Sequence, residues 1–91
     1  MLSVMNATYL GNYKLELAFN DGTVGNTDLH DVIFNDHRMP FVELRDEKKF
    51  QQFKVAHYTV VWENGLDLAP EFLFGLVTQT TIPDNDATKS A

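Results

Sequence analysis

Two short turns, Asn20-Asp21-Gly22 and Asn64-Gly65, do more than any other feature to limit what this chain can fold into. A glycine closing such a turn can take the positive φ that a tight hairpin demands, and each turn follows a stretch of strand-like alternation. Ahead of the first, Tyr13, Leu15, Leu17 and Phe19 fall on one face and Lys14, Glu16, Ala18 and Asn20 on the other, the pattern of a half-buried strand. Val4 to Leu10 is also β-prone, and Gly11-Asn12 supplies a two-residue turn that joins it to that strand. Thr23 to Thr27, with one aliphatic residue and one glycine, reads as a short, weak edge strand. Ahead of the second turn, Tyr58, Val60 and Trp62 share a face opposite Thr59 and Val61. Apolar residues on both faces make this a strand central in the sheet, with the chain returning through Leu66 to Leu68.

Helical signals lie between and after the hairpins. Asp28 stands in N-cap position before Leu29, Val32 and Ile33, whose spacing gives one apolar stripe, and Asp31 suits the start of a helix. Asn35 through Pro40 is polar and reads as a mobile loop, after which Phe41 to Leu44 comes back to the body. Asp46 can cap a second short helix that buries Phe50 and Phe53. Pro70 fits the first position of a third, Glu71 its first turn, and Leu73, Leu76 and Val77 its buried stripe. The expectation is an α+β fold, with helices packed on one antiparallel sheet of about five strands. At 91 residues one core fits, so residues 1–78 form a single domain and the small, polar residues 79–91 a disordered tail.

Seven Phe, three Tyr and one Trp give that core enough area without disulfides, and the chain has no cysteine. Met1 to Leu10 lacks the basic-then-apolar order of a secretory signal, and no apolar run has the length to span a membrane, so a cytoplasmic protein is expected. A net charge of −6 opposes direct binding to nucleic acid, which Lys and Arg would have to drive. The basic cluster Arg45, Lys48, Lys49 and Lys54 is interleaved with Asp46 and Glu47 and reads as a solvated helix face.

The segment Trp62-Glu63-Asn64-Gly65-Leu66-Asp67-Leu68-Ala69-Pro70-Glu71-Phe72-Leu73 resembles the closing signature of a bacterial family of unknown function, DUF2442. Tyr13 to Phe19 with Asp21-Gly22, then Gly25, Asp28-Leu29, Leu44-Arg45-Asp46 and Phe50, resemble that family's earlier blocks in the same order. The likeness covers roughly residues 2 to 77. It implies a small α+β fold with short helices, in proteins that occur alone or joined to a helix-turn-helix domain, and it implies no established activity. Members are often encoded beside another small protein, which suggests a pair of the toxin and antitoxin type. The present sequence carries no C-terminal helix-turn-helix, and Phe74 stands where the family commonly has Tyr.

Candidate site residues gather around the second hairpin. Asp28, Asp67 and Glu71 could converge if the two hairpins lie side by side, and paired carboxylates can perform acid-base work or hold a hard cation. Each also has a plainer role as a helix cap or first-turn acid. His30 with Asp31 and His37 with Asp36 match no metal-ligand spacing, His57 reads as sitting at a sheet margin, and no nucleophile or phosphate-binding motif is present, so neither metal nor cofactor is expected. Trp62, Phe72 and Phe74 could instead leave an apolar patch. The leading expectation is therefore a non-enzymatic interaction or regulatory module with a protein partner, with Trp62, Asn64, Asp67, Glu71, Phe74 and Asp28 as binding candidates. Two others are a small carboxylate- or metal-dependent enzyme and an accessory subunit of a DNA-binding regulator. The first strand, or the one at Thr23 to Thr27, could also pair across a two-fold axis into a homodimer.

Overall fold

A computed structural model describes residues 1–81. Its strands form two three-stranded antiparallel sheets rather than one five-stranded sheet. The first, in order β1-β2-β3, contains β1 (Val4–Gly11), β2 (Lys14–Phe19) and β3 (Val24–Asp28), and the second, β4-β5-β6, contains β4 (Lys54–Ala56), β5 (Thr59–Val61) and β6 (Asp67–Leu68). Three helices separate the sheets, α1 (His30–Phe34), α2 (Met39–Glu43) and α3 (Glu47–Phe50). A fourth, α4 (Pro70–Thr81), packs against β3. It extends into the stretch expected as tail, and residues 82–91 lie outside the described residues.

The split into two sheets has a local cause. His57 and Tyr58 both take positive φ, 52° and 71°, so the chain reverses there and the expected Tyr58 strand begins only at Thr59. The new strand β4 is thereby paired with β5, which does occupy the centre of its sheet. Strand β1 of the first sheet lies against β4 and β5 of the second, and a backbone hydrogen bond ties it to the turn between them, the Val4 N–H donating to the Tyr58 carbonyl at 2.8 Å. The first hairpin turn also sits one residue later than expected. Asn12 and Tyr13, at φ 54° and 64°, are its central residues, and Gly11 ends β1 opposite Lys14 beside a register shift. Paired positive φ values are what a two-residue hairpin of matching twist requires, but they strain any residue with a Cβ.

The two glycine-closed turns are alike bond for bond. Phe19 N–H donates to the Thr23 carbonyl and Gly22 N–H to that of Phe19, while Trp62 N–H donates to the Leu66 carbonyl and Gly65 N–H to that of Trp62. In each, the side chain before the glycine accepts from the backbone two residues on: Asp21 from Thr23 and Asn64 from Leu66.

One core serves both sheets. Leu15, Leu17 and Phe19 of β2, Val60 and Trp62, Leu29 and Ile33 of the α1 segment, Phe50 of α3, and Leu73 and Val77 of α4 are all buried together. The stripes expected at Leu29 and Ile33 and at Leu73 and Val77 thus face inward, with Val32 and Leu76 half-buried beside them. Asp46 caps α3 as its position implied, its carboxylate accepting from Lys48 N–H at 3.0 Å. Pro40 is not the end of a loop but lies in the first turn of α2, where its missing N–H has no intrahelical partner to lose.

Candidate functional site

The most site-like feature is a groove of about 420 Å³ between α1 and α2 on one bank and β6 and the start of α4 on the other. Its floor is apolar because both banks turn their stripes toward the common core: Phe41 and Leu68 are buried beneath it and Val32 and Leu66 are half-buried. Phe72, in the first turn of α4, faces outward and remains 44% exposed on the wall. Leaving a phenyl ring in water forgoes burial worth about 1.5–3 kcal/mol, so its position on a concave apolar surface is informative.

Asp36, Arg38 and Asp67 supply the polar rim. Arg38 grips Asp36 through its side chain, with Nη2 2.7 Å from Oδ2 and Nε 3.0 Å from Oδ1, and its backbone N–H donates to the same carboxylate. These bonds lower the Asp36 carboxyl to a pKa of about 2, the Arg38 side-chain bond contributing most. The same guanidinium lies 5.0 Å from the centre of the Phe41 ring. Arg45 holds the loop from behind, donating to the carbonyls of Phe34 and Asp36 at 3.1 and 3.4 Å. It is half-buried over the Phe34 ring, not a member of a solvated basic face.

The expected site residues are dispersed. Asp67 lines the groove, exposed in β6 opposite Val61. Glu71 is exposed in the first turn of α4. Asp28 ends β3 one residue before the helix N-cap, Leu29, and accepts from His30 N–H at 2.9 Å. Among the described residues no group of three or more His, Asp or Glu is placed to hold a metal ion, so these three carboxylates do not form one. Trp62 is core, 2% exposed, with its indole N–H donating to the Phe50 carbonyl at 2.7 Å. Phe74 is half-buried edge-on against Phe19, with ring centroids 5.2 Å apart.

Asn64 acts as a staple. Its amide donates to the Pro40 carbonyl at 3.0 Å and to Glu43 Oε1 at 2.9 Å, fastening the second hairpin tip to α2 beside a smaller, more polar hollow of about 320 Å³. His57 lies in the β4–β5 turn, and His30 stacks on Phe34 with ring centroids 4.3 Å apart. On the first hairpin, Tyr9 donates its hydroxyl to Glu47 and Tyr13 to the Arg45 carbonyl. Burial, chiefly, raises the pKa of both phenols. Sequence reasoning missed Asp36, Arg38 and Phe41 as site residues, although an acid and an arginine two apart in a loop between apolar segments is a usable signal.

Two three-stranded antiparallel sheets over a shared core, flanked by short helices and bearing an open groove, define a small α+β domain with no recognisable catalytic constellation among its described residues. Residues 4–78 match a family described as Protein of unknown function (DUF2442), and the chain belongs to that family. The fold is similar to that of a solved protein from Nitrosomonas europaea described as a "Putative DNA Binding Protein", with a TM-score of 0.73 at 15% identity. The similarity covers 88% of this chain and 51% of that one, so this chain spans about half that protein's length. No curated protein matches. No helix among the described residues is long and apolar enough to cross a membrane.

Proposed function

We propose that this chain is a non-enzymatic interaction module of the cytoplasm, whose groove receives an amphipathic segment of a partner protein. The observation that carries this reading is Phe72, held exposed above a floor of Phe41 and Leu68 and flanked by Asp36 and Asp67. An apolar side chain of the partner fits beside Phe72, and basic groups on its flanks suit both the Asp67 carboxylate and a chain of net charge −6. The partner is a small protein encoded nearby, as in two-component pairs of the toxin and antitoxin type. Co-expression with that protein tests the idea: a stable complex is expected, with Phe72→Asp abolishing it and leaving the thermal midpoint unchanged. Absence of a complex, or one indifferent to Phe72→Asp, overturns it.

A second reading makes the domain an accessory to a DNA-binding regulator, working through protein contact because its charge opposes phosphate binding. It is favoured by the description of the longer Nitrosomonas europaea protein, whose other half has no counterpart in this likeness. A mobility-shift assay with the partner present and absent separates the two, since only the accessory role gives a partner-dependent shift.

A further inference from the structure

Strands β4 and β5 lie against β1, but only Val4 is hydrogen-bonded to their hairpin, so the outer edge of β1 is without a ladder partner over most of its length, and the direction of its backbone groups can be read from the neighbouring strand. Phe19 exchanges bonds with the β3 side of the sheet, its N–H donating to Thr23 and its carbonyl accepting from Gly22. Alternation along β2 then directs Leu17 and Leu15 toward β3 as well, and Glu16 toward β1. Their β1 partners follow: Thr8, opposite Glu16, bonds inward to β2, whereas Ala7, opposite Leu17, and Tyr9, opposite Leu15, point their N–H and C=O groups out of the sheet. Val4 shares that outward direction and is met by the Tyr58 carbonyl, which closes the edge at one end. Among the described residues no strand pairs with Ala7 or Tyr9 on this side.

Such an edge is ordinarily protected by lysine, proline or a covering element. Here the twelve residues from Leu2 to Tyr13 contain no charge and no proline, in a chain that is 22% charged. At the other side of the same sheet, β3 has α4 packed against it. Met5 and Leu10 are 63% and 48% exposed on β1.

We propose that the free edge of β1 pairs with the same edge of a second copy, antiparallel about a two-fold axis at Thr8. That register sets Ala7 opposite the partner's Tyr9 and Tyr9 opposite the partner's Ala7, so the two outward pairs exchange four backbone hydrogen bonds. It brings the two Thr8 side chains face to face on the outer surface, a favourable cross-strand pair, and joins the two β1-β2-β3 sheets into one of six strands. A second copy is the occupant that the charge distribution selects. Two molecules of charge −6 repel each other, and an antiparallel two-fold contact sets each residue against a near neighbour of its own kind, so a self-pairing strand must be free of charge. This contact is independent of the groove.

Sedimentation equilibrium of the full chain at sub-millimolar concentration tests it. The expected mass is twice 10.4 kDa. Ala7→Pro removes an outward N–H that no β1–β2 bond uses, and should raise the dimer dissociation constant at least about tenfold. Thr8→Lys, at an exposed position, sets two like charges together at the axis and weakens the dimer in the same direction without altering the circular dichroism spectrum. In this cysteine-free chain, Thr8→Cys should oxidise to a covalent dimer while Glu16→Cys on the adjacent strand does not. A monomer at every concentration, or a dimer that Thr8→Lys leaves unchanged and Thr8→Cys fails to cross-link, overturns the proposal.

Discussion

Replacing Tyr58 by glycine should stabilise the protein, whereas the same replacement at Tyr13 should destabilise it, although both tyrosines occupy the second position of a two-residue turn at positive φ. Holding a side-chain-bearing residue in that region costs about 1–2 kcal/mol, and glycine removes the cost while adding about 0.5–1 kcal/mol of unfolded-state entropy. At Tyr58 little else changes: its side chain is 65% exposed, and its carbonyl bond to Val4 survives the substitution. The balance is a gain of up to about 1 kcal/mol, or a few degrees in Tm for a chain of this size. Tyr13 packs edge-on against Phe34 and Phe50, with centroids 5.3 and 5.1 Å away, and its hydroxyl donates to the Arg45 carbonyl. Losing half a ring's burial, its aromatic contacts and that bond removes about 3–4 kcal/mol, so Tyr13→Gly should lose about 2–3 kcal/mol net. Urea unfolding of the two variants beside the parent chain measures both values. A loss of stability at Tyr58, or no loss at Tyr13, would refute the separation of backbone strain from packing.

Trp62→Phe should cost about 2–4 kcal/mol, because it strands the buried Phe50 carbonyl as well as shrinking the ring, and differential scanning calorimetry should record a Tm lower by at least about 8 °C. Asn64→Ala should cost only about 1 kcal/mol, its bonds being solvent-exposed, yet amide exchange should speed up selectively in α2, to which its side chain is tied. The Asp36 carboxyl, depressed to about 2 mainly by Arg38, holds its loop fully only above the ordinary carboxylate value and loses that support as pH falls through about 2. An NMR titration should place its midpoint there, and Arg38→Ala should move it upward toward the unfolded value.

Much of this architecture was legible in the residues, for identifiable reasons. Helices were found where a cap and a stripe coincide, as at Asp46 with Phe50 and at Pro70 with Leu73 and Val77. The glycine turns were legible because glycine marks positive φ, whereas the turns at Asn12-Tyr13 and His57-Tyr58 place tyrosine in a conformation that nothing in tyrosine announces. That concealment moved one hairpin by a residue and hid β4, and strands of two or three residues are too short to show a period. Trp62 was credible both as core and as exposed patch, and only the buried Phe50 carbonyl within reach of its indole decides between them. The groove was not legible, since its banks come from segments some thirty residues apart, Val32 to Phe41 and Leu66 to Phe72.

Each sheet is drawn from one unbroken stretch of chain, residues 4–28 and 54–68, and this has a kinetic consequence. Neither sheet needs a distant segment in order to close, and hairpins of this kind form in about 1–10 μs. The slow event should be docking, when Trp62 reaches the Phe50 carbonyl and Val4 reaches Tyr58. Substitutions at those two contacts should retard folding, while changes within either glycine turn should act chiefly on how fast its own half assembles. The chain is small enough to have one core, yet it reaches that core as two separately prepared pieces.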